Sequence, residues 1–292
     1  MVYKMNKIAP SELIINSDGS VFHLHLKPEE LAERVILVGD PGRVEMVASF
    51  FDKRETERAS REFVSVTGMY KGKRITALST GIGTDNIDIV LNELDALANI
   101  DFNTRMAKEK HKKLRILRVG TSGAIQPHIP IGSYVFSHIS IGFDGLLNWY
   151  ANRDRVTIKE MEEAFIDQME WPANLPKPYF ASANRDLIND FSDITIKGIT
   201  ISSPGFYAPQ GRVLRLQLTM PNILSKLESF RYNGEKITNF EMEGSAIAGL
   251  ATLLGHDAAT VCCIIANRYF HESHTDYKPF IKKLVELSLD RI

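Results

Sequence analysis

The sequence predicts an α/β protein, and three observations carry that prediction. Short apolar runs of strand length alternate with segments of helical spacing, the pattern of helices packed against a sheet. Three of the apolar runs lead straight into glycine-rich segments: ILVGDPGRV at 36–44, ITALSTGIGTDN at 75–86 and LRVGTSGAIQ at 117–126. At 241–254 the residues Ile247, Leu250, Ala251 and Leu254 recur on one helical face, with Gly255 as the stop.

In chain order, the strand candidates are 35–38, 75–78, 116–119, 134–140, 194–202 and 259–266, each rich in Val, Ile or Leu. Helical spacing marks 44–50, 86–98, 186–191, 242–254 and 279–289. No internal repeat is evident, and no linker separates two units, so the chain reads as one domain over 1–292. Two segments read as insertions on its surface. Residues 103–113 (NTRMAKEKHKK) are charged and read as a solvated helix extension. Residues 149–178 carry Trp149, Trp171, Pro172, Pro176 and Pro178, which suggests a loop-and-helix excursion at a subunit contact or a site rim.

Composition excludes several classes. With 44% hydrophobic and 24% charged residues the chain has the material for a sizeable core. A formal charge of −1 gives no reason to expect nucleic acid or an anionic membrane as partner. No apolar run approaches the ~18 residues of a membrane span, and the first residues lack the apolar stretch of a secretory signal. Cys262 and Cys263 are adjacent in a strand-like run and so point to opposite faces, as buried free thiols of a reducing compartment. The expected location is the cytoplasm.

The chemistry concentrates in three regions. Arg118 enters what reads as a turn of Gly120, Thr121, Ser122 and Gly123, where a guanidinium, hydroxyls and freed N–H groups suit an oxyanion such as phosphate. Arg43 follows a second such turn, so a phosphate pocket is expected at the carboxyl ends of neighbouring strands. Glu241, Met242 and Glu243 open a helix; the carboxylates either cap it or grip vicinal hydroxyls such as those of a ribose. In SSPGFYAPQGR at 202–212, Phe206 and Tyr207 offer an apolar surface, and Gln210 and Arg212 suit the edge of a lactam ring such as uracil; an ordinary surface turn is the plainer alternative. Asn267 and Arg268 end a buried strand. His271 and His274 have no further ligands near them in sequence and read as a solvated segment, so no metal site is expected.

The segments VFHLHL, VGDPGRV, SREF, STGIG, LRVGTSGAIQ, FYAPQGR, EMEGSA and ANR occur in this order between residues 21 and 268. Together they resemble the nucleoside phosphorylase family of hexameric and related dimeric enzymes, and most of all its members that cleave uridine. The resemblance implies a central mixed, twisted sheet flanked by helices, and reversible phosphorolysis with phosphate as co-substrate and no cofactor. It implies that Gly39, Arg43, Arg118 and Thr121 bind phosphate, with Arg61 supplied by a neighbouring protomer. Met242 and Glu243 then hold the ribose, helped by Phe22 and by His23 across the interface, while Phe206, Gln210, Arg212 and Arg268 serve the base. Each site needs two chains, so a homo-oligomer, dimer or hexamer, is implied.

Purine-specific relatives typically end the last strand in Ser-Asp, the acid addressing purine N7; Asn267-Arg268 stands here, which favours a pyrimidine. Two departures from the family pattern stand out. The base loop has Ala208-Pro209 and Gly211, leaving uracil against thymine open, and Asn86 replaces a serine that with Glu62 binds a monovalent cation in some relatives. A nucleosidase, a purine phosphorylase and a catalytically silent nucleoside-binding protein are the rival readings.

Overall fold

The computed structural model describes residues 7–273 and 276–292. The chain passes through β1 (Arg34–Val38), α1 (Pro41–Ala48), β2 (Lys53–Ser60), β3 (Phe63–Tyr70), β4 (Lys73–Ser79) and α2 (Thr84–Asn99). A short pair, β5 (Ile100–Asp101) and β6 (Met106–Ala107), precedes β7 (Arg115–Ala124) and β8 (Tyr134–Gly142). Then follow α3 (Lys159–Met169), β9 (Tyr179–Ser182), α4 (Arg185–Phe191), β10 (Ile196–Ser202) and α5 (Ile223–Ser229). The last elements are β11 (Ile237–Glu241), α6 (Gly244–Leu253), β12 (Asp257–Asn267), β13 (Glu272–Ser273) and α7 (Lys278–Arg291).

Eleven strands form one mixed sheet in the order β13-β12-β8-β10-β11-β7-β1-β4-β3-β2, with β9 beside β8. Because β12 also pairs with β7, the strands β7, β11, β10, β8 and β12 close into a ring, and β1, β4, β3 and β2 extend from it as a wing. Alternation along β1 decides the layers. Val35 and Leu37 pack under α2 and α6, while Ile36 and Val38 face α1 and α7 on the other side. A third cluster, built on Phe165, Phe180, Phe230 and Ile201, seats α3 and α5 against β9 and β10. The chain is thus an α/β domain with a central mixed sheet flanked by helices, as the sequence led us to expect.

Each of the six strand and five helix candidates is present near its expected bounds, and α3 provides the helix expected within 149–178. The segment 103–113 is corrected: α2 stops at Asn99 and the chain folds into the β5–β6 ribbon instead of extending the helix. Asp101 sets the turn by accepting the N–H groups of Asn103 and Thr104 at 2.8 and 3.0 Å, and Arg105, at a φ of 58°, donates to the carbonyls of Ile8 and Ala9. Strand β2 (KRETERAS) escaped the sequence reading because it is charged and largely exposed, and its strand form rests on pairing with β3.

Candidate active site

Parallel pairing of β4, β1 and β7 brings their carboxyl ends together, with Val38 opposite Ser79 and Leu37 opposite Arg118. The segments that follow β1 and β4 therefore meet. A Cβ added to Gly39 would lie 3.6 Å from the Gly81 carbonyl. Asp40 caps α1 by accepting from Gly42 N at 2.9 Å, which places Arg43 in the first turn of the helix. Arg43 is half-buried and has no ion-pair partner among the described residues. In the next turn Gly83 takes a φ of 100°, a left-handed conformation that suits glycine, and so aims its N–H at Glu243 Oε1, 2.8 Å away.

The third glycine segment is not a turn. Gly120 to Gly123 continue β7 and pair with Cys262, Cys263, Ile264 and, after a register shift that skips Ile265, Ala266 of β12. Their N–H groups belong largely to the ladder, so an anion held at this point would depend on side chains. What the glycine supplies is room: a Cβ on Gly120 would sit 2.3 Å from Arg118 Nη1. The Arg118 guanidinium folds over that gap, where Nη2 pairs with Glu243 and Nη1 lies 3.1 Å from Glu241 Oε2. Thr121, the next residue of the strand, is half-buried and stands opposite Cys263.

The two carboxylates that sequence left ambiguous hold different partners. Glu241 accepts the N–H groups of Glu243 (2.8 Å) and Gly244 (2.8 and 3.0 Å) and the Ser202 hydroxyl, and so satisfies free N–H groups at the start of α6, whose N-cap position Glu243 itself occupies. Glu243 is left with Arg118 and Gly83 and is the one available to grip hydroxyls; Met242 lies half-buried between them.

In the base-loop segment a short 3-10 turn at Ala208–Gln210 buries Gln210, while Phe206 and Tyr207 stay about half exposed. Arg212 stacks 3.8 Å over the Phe206 ring and donates to Gln210 Oε1 at 2.7 Å, so the amide's Nε2 donor is the end left for a ligand. Arg268 donates to the Gln210 carbonyl at 3.1 Å and, through its own N–H, to Ala124 O at 2.7 Å, which ties this loop to the end of β7. Asn267 is fully engaged: Nδ2 donates to the Gln126 and Ile129 carbonyls and Oδ1 accepts from Tyr269 and Phe270 N–H. It is a brace, not a reader of bases.

Phe22, His23 and Arg61 form a separate group. The Phe22 and His23 rings meet edge to face at 4.8 Å, and the Arg61 guanidinium sits 5.9 Å from the Phe22 centroid. Arg61 is exposed and without an ion-pair partner among the described residues. These are the residues that the sequence assigned to an interface and to the sugar.

This geometry coincides with a family match: the Phosphorylase superfamily model covers residues 33–290. The chain belongs to the phosphorylase superfamily. It is 29% identical over 274 residues to the uridine phosphorylase of Thermococcus kodakarensis, covering 92% of this chain and 85% of that protein. It is 30% identical over 261 residues to the uridine phosphorylase of Salmonella typhimurium, covering 86% and 88%. The solved structure of a Trypanosoma brucei nucleoside phosphorylase with uridine phosphorylase activity matches it with a TM-score of 0.87 at 30% identity, over 96% of this chain and 98% of that one.

Within this superfamily member the site is electrostatically tight. Burial works against the charge of Arg118, but Glu243 and Glu241 outweigh it and hold its pKa above the ordinary guanidinium value. Burial pushes Glu243 upward, with Arg118 opposing. In the base loop, burial and the neighbouring Arg268 push Arg212 down to about 10. Cys262 lies beneath Arg118, its sulfur 3.7 Å from Nη1.

Some relationships had no signal in the sequence. Gly83 and Glu243 are far apart in the chain, and nothing local announces that a backbone N–H will orient that carboxylate. Asn86 donates to Glu62 at 3.3 Å, so the two residues compared with a cation site in the sequence bond to each other. A separate apolar pocket of about 200 Å3 behind the base loop, walled by Phe143, Trp171, Pro204, Pro209, Met220 and Ile223, contains none of the strand-end residues. Asp95, His111 and His256 bring possible ligand atoms within 4.8 Å of one another. His256 Nδ1 accepts the Leu114 N–H at 3.2 Å, however, so its proton sits on Nε2 facing Asp95, and the ring offers no lone pair there to a metal. His271 is exposed, and His274 lies outside the described residues.

Proposed function

We propose that the chain catalyses the reversible phosphorolysis of uridine to uracil and ribose 1-phosphate. The observation that carries this reading is the strand-end floor, where buried Arg118 pairs with Glu243, and Arg43, without an ion-pair partner among the described residues, opens the helix after the neighbouring strand β1; the floor thus supplies groups for an anion and for hydroxyls. The names of the relatives support uridine as the nucleoside. So does the pairing of Gln210 with Arg212, which offers donors to a pyrimidine edge.

In this reading Gly39, Arg43, Arg118 and Thr121 hold phosphate, together with Arg61 of the partner subunit. Met242 and Glu243 hold the ribose, Phe22 packs near the sugar, and His23 of the partner subunit meets the 5′-hydroxyl. Phe206, Gln210, Arg212 and Arg268 serve the base. As the C1′–N1 bond breaks, its electron pair leaves with the pyrimidine, whose charge falls on ring oxygens and nitrogen within reach of Gln210 and Arg212. A phosphate oxygen forms the new bond to C1′, and the proton that the hydrogen phosphate gives up ends on the departing pyrimidine. Placement and charge stabilisation do the work without a covalent nucleophile.

The same reading makes the protein a cytoplasmic homo-oligomer with shared sites, its partners small molecules and not nucleic acid or membrane. Its single domain spans 1–292, with 103–113 and 149–178 as insertions. The exposed apolar residues Phe22 and Ile82, 36% and 70% accessible, support an interface. No helix among the described residues is long and apolar enough to cross a membrane.

The test is uracil release from uridine by purified protein, with and without phosphate, beside inosine. Phosphate-dependent uracil release with little hypoxanthine is the expected result. Release without phosphate would make the protein a hydrolase, and release from inosine alone would overturn the pyrimidine assignment.

A further inference from the structure

One buried carboxylate stands outside the strand-end site and gathers four contacts. Glu93, on α2, accepts the backbone N–H of His23 (3.0 and 3.2 Å) and of Leu24 (2.9 Å), and its Oε1 lies 2.6 Å from His23 Nδ1. Its neighbours along the helix face, Val90, Leu94 and Leu97, are apolar core residues. Burying a carboxylate among them costs desolvation, which these N–H donors and the imidazole offset. The turn it anchors is short: Val21 N–H donates to Leu26 O at 3.0 Å, His25 N–H donates to Val21 O at 3.2 Å, and His25 adopts a φ of 52°. Glu93 therefore sets both the backbone and the ring of His23.

The ring's tautomer follows from this contact. A carboxylate accepts and does not donate, so the neutral imidazole turns Nδ1–H toward Glu93 and keeps Nε2 as an acceptor. Phe22, edge to face at 4.8 Å, and Phe63, at 6.4 Å, flank the ring and limit its rotation. The side chain of His23 remains 27% exposed, so its far edge reaches the surface.

We propose that Glu93 is a positioning residue for nucleoside binding: it holds His23 in the tautomer whose Nε2 accepts the 5′-hydroxyl of the nucleoside bound in the adjoining subunit's site. The proposal rests on the reading of His23 given under Proposed function, and it adds a group that does not itself touch substrate.

The experiment compares uridine with 5′-deoxyuridine, which lacks only the hydroxyl concerned, in the full-length wild type, Glu93→Gln and His23→Ala. In the wild type, removing the hydroxyl should lower kcat/KM. Glu93→Gln, whose amide nitrogen would face Nδ1 and reverse the tautomer, should cost about tenfold on uridine, the scale of one hydrogen bond, and little on 5′-deoxyuridine. His23→Ala should give the same uridine-selective loss, and adding Glu93→Gln to it should cost no further uridine selectivity. Equal losses on both nucleosides would make Glu93 a brace of the fold alone and overturn the proposal, as would no loss on either. A wild type that cleaves both nucleosides equally well would remove the His23 contact itself, and one that cleaves neither would overturn the functional reading along with it.

Discussion

The Arg118 guanidinium and the Glu243 carboxylate form an ion pair in which the side chains are only 6% and 3% exposed. The proposed phosphate ligand and the proposed ribose acceptor are thus in direct contact. Glu241 at 3.1 Å and Gly83 N–H at 2.8 Å hold the two ends of the pair in place. A buried pair of this kind is costly to break, because the partner left behind keeps its charge without compensation.

Glu243→Ala tests that cost. It should destabilise the protein by about 3 kcal/mol, the lower end for a broken buried pair because Glu241 still faces Arg118. Urea denaturation measures it, and a loss within error of zero would mean that Glu241 alone neutralises the guanidinium.

Gly120→Ala tests the placement of Arg118. The new methyl would meet Arg118 Nη1 at 2.3 Å and Cys262 Sγ at 3.1 Å, so the guanidinium must shift within its buried pair; the fold should survive with an unchanged circular dichroism spectrum and a lowered urea midpoint. The displaced guanidinium should lower phosphorolysis by about 10²-fold, the scale of one lost charge-stabilising donor. Wild-type turnover in this variant would show that the position of Arg118 is unimportant.

Gln210→Ala should reduce kcat/KM for uridine more than any residual activity on inosine, since the amide oriented by Arg212 is the proposed reader of the pyrimidine edge. Parallel progress curves on the two nucleosides measure the ratio. An equal loss on both would assign Gln210 to holding the loop.

The adjacent thiols make a prediction about pH. Burial pushes Cys262 up to about 12 and Cys263 up to about 11, both above their ordinary value of 9.0. The native state therefore keeps protons that the unfolded chain releases. The resulting stabilisation is fully present below the unfolded value and is lost as pH rises toward the folded ones, with a slope of at most about 1.4 kcal/mol per pH unit for each thiol. Urea midpoints should fall from about pH 9 upward, and the fall should be shallower in Cys263→Ala. A thiol reagent at pH 8 should find neither cysteine until the protein unfolds.

Local pattern was enough for much of this molecule. Apolar runs ending in glycine located β1, β4 and the start of β7 and pointed to Arg43 and Arg118, because strand periodicity and the conformational demands of glycine act over a few neighbouring residues. The helical face of Ile247, Leu250 and Ala251 located α6 in the same way. Glu93 left a trace too, as an acid on the apolar stripe of α2 formed by Val90, Leu94 and Leu97, although nothing in the stripe names its partner.

Tertiary structure decided the rest. That β7 continues through Gly123 depends on β12, whose pairing residues lie more than a hundred positions later. Which partners Glu241 and Glu243 each hold depends on how the ring of strands closes and where it sets Ser202, Gly83 and Arg118. Hydrophobic periodicity is read out within one turn or one pleat, whereas a buried charge is tolerated only where the folded chain gathers its compensating donors from distant segments. The sequence by itself therefore located the apolar strands and the amphipathic helices and named candidate site residues, and the closing of the sheet assigned each charged group its partner.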